Sequence, residues 1–137
     1  MLPVDVFPAL WDRLAATIAS AEIRSPDEVG REIERKDAGL NRWVKARPQL
    51  LIPLDEDTQR ATREVLSAYP ELVKELSGRN QADPFVVALA RVRRLTVVTE
   101  EKVGVHKRPR IPMACEHFNV PCMNVVSFIR DCGWRFS

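Results

Sequence analysis

The chain has 137 residues, a length that fits one domain with a core of reasonable size. Its 45% hydrophobic and 29% charged residues exclude a disordered or low-complexity chain, and its apolar runs are too short to span a bilayer. Net charge is only +2, from 21 basic and 19 acidic residues, so bulk charge alone does not demand a nucleic-acid partner.

Phe7, Leu10, Trp11, Leu14 and Ile18 recur at helical spacing and predict an amphipathic helix over residues 5–21. Ile23 and Arg24 suggest a very short strand. Ser25-Pro26-Asp27-Glu28 then reads as a helix start, with Ser25 as cap and Glu28 completing a capping box. That helix should run through Val29 and Ile33 to about Lys36. Another, around Leu40, Trp43 and Val44, should stop before Pro48.

Leu50, Leu51, Ile52 and Leu54 form a strand candidate interrupted by Pro53. Asp55 should cap a helix that turns Ala61, Val65 and Leu66 inward and breaks at Pro70. Leu72, Val73 and Leu76 suggest a further turn or two, and Gly78 to Gln81 a loop. Asp83-Pro84 is a second clear helix start. The segment after it, Phe85 to Ala90, is apolar almost all round, which predicts a helix buried on most sides.

Leu95-Thr96-Val97-Val98-Thr99 is the best strand pattern in the chain. Residues 102–112 read as a basic, proline-containing loop, and Met113 to Phe118 as a short helix. Cys122 to Val126 make another strand, after which Ser127 should cap a final helix ended by Gly133. Strands alternating with helices predict a parallel sheet with helices on both faces. The absence of a basic region followed by an apolar run at the start leads to a cytoplasmic expectation, with no membrane partner.

Three cysteines, Cys115, Cys122 and Cys132, include no Cys-x-x-Cys pair. Neither a disulfide framework nor a tetrahedral zinc site with His117 is expected, and the thiols read as small apolar core residues.

Sites in open parallel sheets form at the carboxyl ends of strands and the amino ends of the following helices. Asp83, Glu100 and Glu101 fall at such places, and Glu32 lies on a helix. Each has a plain structural explanation. Asp83 can be an N-cap, Glu100 and Glu101 solvated loop carboxylates, and Glu32 a partner for Lys36. Converging carboxylates would instead repel unless a cation joined them. Hard oxygen donors suit magnesium or manganese. Two basic clusters, Arg91, Arg93 and Arg94, then Lys102, Lys107, Arg108 and Arg110, read as solvated segments or as a phosphate-binding rim. No Gly-rich phosphate loop is present.

The stretches Gln81 to Ala90 and Val97 to Glu101 look like a PIN domain. The likeness extends to Asp5 to Trp11, to Ile111-Pro112 with Cys115 to Phe118, and to Asn124 to Arg130 with Gly133 to Phe136. Together these pieces cover essentially the whole chain and resemble a bacterial subfamily of PIN nucleases. The resemblance implies a three-layer α/β/α fold and a magnesium- or manganese-dependent endoribonuclease, the toxin of a toxin–antitoxin pair.

By the same resemblance Glu32, Asp83 and Glu101 would be catalytic, with Glu100 as the alternative metal ligand to Glu101. Arg91, Arg94, Lys102, Lys107 and Arg108 would hold RNA. PIN domains open with a strand ending in an aspartate, and nothing before Asp5 fits it. The expectation is therefore a missing first strand, a lost metal ligand and weak or absent activity. The alternative is a catalytically degenerate module that binds an antitoxin or a second copy of itself, with Phe7, Trp11 and Trp43 as contact candidates.

Overall fold

The computed structural model describes residues 4–72, 82–100 and 110–136. The chain divides into two compact units, one formed by Met1–Pro53 with Arg135–Ser137 and the other by Leu54–Trp134. Each holds one pair of parallel strands, so the fold is mixed α/β with parallel pairing. The expected single sheet is seen as two separate two-stranded pairs.

In the first unit, α1 (Pro8–Ala19) starts at a proline in its first turn and buries Leu10 and Ile18. It closes on Ala21 in the left-handed region, where the amides of Ala21 and Glu22 reach back to the Ile18 and Thr17 carbonyls. Strand β1 is Ser25–Pro26, two residues later than Ile23 and Arg24 suggested, and pairs with β2, Leu51–Ile52. The Ser25 amide is engaged by the Leu50 carbonyl at 2.8 Å. Ser25 is therefore strand rather than cap. Pro26 takes the N-cap position of α2 (Asp27–Lys36), without a capping side chain, so the expected capping box is not formed.

Helix α3 (Ala38–Lys45) is capped by Asp37, whose carboxylate accepts from the Leu40 amide at 3.0 Å. Ile18, Val44 and Leu50 form the small core of this unit, with Ile33, Leu40, Trp43 and Leu51 packed against it. Trp11 meets Trp43 edge-on at 4.9 Å, and the Arg47 guanidinium lies 4.0 Å over the Trp43 ring.

Gly30 of α2 packs against Leu51 of β2. A Cβ there would lie 2.6 Å from Leu51 Cδ1. That atom ends a flexible side chain, so Leu51 can turn aside for one methyl group.

The second unit opens with α4 (Glu56–Ala68), capped as expected by Asp55, whose carboxylate accepts from the Thr58 amide at 2.7 Å. A single 3-10 turn follows over Pro70–Leu72. Val73, Leu76 and the loop over residues 78–81 lie outside the described residues. Helix α5 (Asp83–Arg93) buries Val87, Ala88, Leu89 and Ala90, matching its all-round apolar pattern.

Strand β3 is only Val97–Val98 and pairs with β4, Cys122–Met123. Both are shorter than their sequence patterns, because neighbouring residues turn into helices or loops. Helix α6 (Ile111–His117) begins at Ile111-Pro112, inside the stretch read as loop. Helix α7 (Val125–Asp131) begins two residues before Ser127, and its cap is Asn124, whose side chain accepts from the Ser127 amide at 2.8 Å.

Val65, Val87, Ala114 and Cys115, all with no exposed surface, centre the core of this unit. Leu72, Val97, Ile111 and Val120 complete it. No helix among the described residues is long and apolar enough to cross a membrane.

Two outcomes test this packing. Gly30→Ala should change stability by no more than about 1 kcal/mol, helix propensity offsetting the displaced Leu51. Gly30→Ile should lose roughly 1–3 kcal/mol in urea unfolding, because its branches overfill the contact. Asp55 is held below its ordinary pKa, first by the Thr58 amide and further by Arg93. A depressed carboxylate stabilises above its unfolded pKa, and the gain disappears as pH falls through the folded value. Asp55→Ala should therefore lower the thermal midpoint at neutral pH, with the difference from the parent chain shrinking below about pH 4.

Candidate functional site

Helix α5 and strand β3 set the geometry. Ten helical steps from Asp83 to Arg93 cover about 15 Å. Arg94 takes the left-handed conformation, φ 57°, and reverses the chain. Five extended steps from Leu95 to Glu100 then return about 16 Å. The start of the helix and the end of the strand thus share one end of this layer, and that end holds Asp83 and Glu100. Arg91, Arg93 and Arg94 lie at the other.

Asp83 is half-buried and occupies the first helical position. Ala82, not Asp83, is the N-cap residue, and Asp83 stands one position further in. Its charge still favours the positive end of the helix dipole.

Glu100 is exposed, and its Oε1 accepts a hydrogen bond from the Val125 amide at 2.8 Å. It is thus a bound carboxylate rather than a merely solvated one. One oxygen satisfies the first turn of α7, and the carboxylate keeps further lone pairs. Sequence spacing could not show this contact, because Val125 is 25 residues away.

Glu32 lies half-buried on α2, in the first unit. Glu28 stands one turn earlier on the same face, a position that reading it as part of a capping box hid. Its Oε2 is 3.2 Å from the Arg31 guanidinium, while its Oε1 is buried without a hydrogen-bond partner. Glu101, Lys102, Lys107 and Arg108 lie outside the described residues. Among the described residues no three His, Cys, Asp or Glu side chains are grouped to hold a metal.

The first basic cluster is largely neutralised from within its own unit. Arg91 pairs with Glu64 and lies 4.8 Å over the Phe118 ring. Arg93 is 3.6 Å from Asp55. The half-buried ring of Phe118 meets His117 edge-on, and His117 in turn meets Tyr69.

The cysteines divide. Cys115 is the buried core thiol that the sequence suggests, and burial, with the neighbouring Cys122, pushes its pKa up to about 12. Cys122 and Cys132 are exposed, against the expectation of core residues. Cys122 opens the short β4 and Cys132 follows the last turn of α7, where a two- or three-residue register decides exposure.

No curated protein and no solved structure matches the chain. A family model does, over residues 1–136. The chain therefore belongs to the family described as Domain of unknown function (DUF4411).

Proposed function

We propose that the protein is a metal-dependent endoribonuclease of the PIN type, acting as the toxin of a toxin–antitoxin pair. The observation that carries this reading is the placement of Asp83 and Glu100 at one end of α5 and β3. Asp83 stands in the first turn of α5, and Glu100 is fixed in place by the Val125 amide. Both are hard oxygen donors and fit magnesium or manganese in kind. Such an ion polarises a phosphodiester and lowers the pKa of a bound water.

Asp83 and Glu100 would hold the ion, with Glu101, next in sequence, as a further ligand in this reading. Lys102, Lys107 and Arg108, following Glu101 in sequence, would bind the RNA backbone. Arg91 and Arg94 would contribute only to the far end of a bound strand. Because one Glu100 oxygen already accepts a hydrogen bond, affinity for the ion is reduced and turnover should be slow.

A second reading has its own support. Val6 is 61% exposed and Phe7 42%, and both stand at the entry of α1. Trp11 and Trp43 pack on each other, which leaves Phe7 as the free candidate of that set. A module that binds an antitoxin or a second copy through this apolar surface, without cleaving RNA, is the alternative.

RNA cleavage assays separate the two. Nuclease action predicts slow, chelator-sensitive cleavage by the purified chain, supported by magnesium or manganese. Asp83→Asn should reduce it at least about 100-fold, a loss of ~2.7 kcal/mol in the barrier. Cleavage that survives chelation, or is unchanged in Asp83→Asn, would refute the proposed site. Complex formation without any cleavage would favour the second reading.

A further inference from the structure

We propose that Cys115 and Cys122 form a redox-sensitive pair, closed into an intramolecular disulfide by low-molecular-weight disulfides such as oxidised glutathione. The end of α6 brings them together. Asn119 adopts φ 57°, and the Asn119 and Val120 amides reach back to the Glu116 and Cys115 carbonyls at 3.3 and 2.8 Å. This closing turn folds the chain over the last helical turn, so that Val120 packs in the same core as Cys115.

The next residue is held from the other side, the Pro121 carbonyl accepting from the Val97 amide at 2.9 Å. Cys122 is therefore fixed at the start of β4, which packs against α6, and it stands near enough to Cys115 to help raise that thiol's pKa. One thiol is exposed and the other has no exposed surface. Reagents can reach Cys122 directly, whereas Cys115 is shielded from them.

The chemistry needs two exchanges. The Cys122 thiolate attacks one sulfur of oxidised glutathione. The glutathione disulfide bond breaks, and one glutathione thiolate leaves and takes up a proton. Cys115 then gives its proton to solvent and attacks the Cys122 sulfur. The mixed disulfide breaks, and the second glutathione thiolate leaves and is protonated. Two protein thiols lose two electrons, and one glutathione disulfide becomes two thiols.

Burial keeps Cys115 protonated and makes the second exchange the slower one, while its contact with Cys122 compensates through proximity. The closed pair would sit two residues before Asn124 and three before Val125, the amide that holds Glu100. Oxidation would thereby fasten the segment that positions this acid. The pairing stands whether or not the chain cleaves RNA.

Cys132, which is also exposed, supplies an internal comparison. The full chain is incubated with oxidised glutathione, free thiols are blocked, and the digest is analysed by mass spectrometry. The expected product is a Cys115–Cys122 linked peptide, two hydrogens lighter than the reduced pair, with glutathione retained on Cys132 alone. Cys132→Ser should form the same link, and Cys115→Ala should keep glutathione on Cys122. Stable glutathione on Cys122 of the unaltered chain, no reaction at Cys122, or a Cys122–Cys132 link would overturn the proposal.

Discussion

Parallel strand pairs only two residues long cannot sustain a fold on their own hydrogen bonds. Helix packing has to carry each unit, and in the second unit it does so through side chains with no exposed surface. Val65 on α4, Val87 on α5, and Ala114 and Cys115 on α6 form one contiguous core. Once these helices are packed, the short strands are held in place, and the ends of both become fixed platforms for polar groups. Burial of this kind is worth roughly 1.5–3 kcal/mol for each large aliphatic side chain, more than a single ladder hydrogen bond contributes.

The polar groups follow from that scaffold. Helix α5 acts as a rod with opposite charges at its two ends. Asp83 meets the positive end of the helix dipole, and the arginines meet the negative end. The arginines are then matched by acids from α4 and its cap, Arg91 by Glu64 and Arg93 by Asp55. Exposed pairs of this sort contribute little stability each. Their consequence is electrostatic: the charges of Arg91 and Arg93 are offset on the surface. At the other end, Glu100 links the end of β3 to the start of α7, so the position of one candidate acid depends on the β3–β4 pairing.

Features with local causes were legible in the sequence. Asp55 and the apolar α5 were readable because a cap needs only three following residues and a buried helix shows its pattern along itself. Ser25 misled because its amide is claimed by Leu50, 25 residues away, an interaction that no local pattern contains. Ser127 misled for a smaller reason, since Asn124 caps the same helix and Ser127 supplies the amide. The acids at Asp83 and Glu100 were readable as candidates. The use of Glu100 by Val125, the pairing of Arg91 with Glu64 and the buried oxygen of Glu28 depend on packing between distant segments.

The central claim is that Asp83 and Glu100 face a common divalent cation. Manganese binding, followed by paramagnetic resonance on the full chain, tests it without requiring turnover. The account predicts a saturable bound signal that is lost in Asp83→Asn and weakened in Glu100→Gln. A bound signal indifferent to both substitutions, or no bound manganese at all, would contradict it.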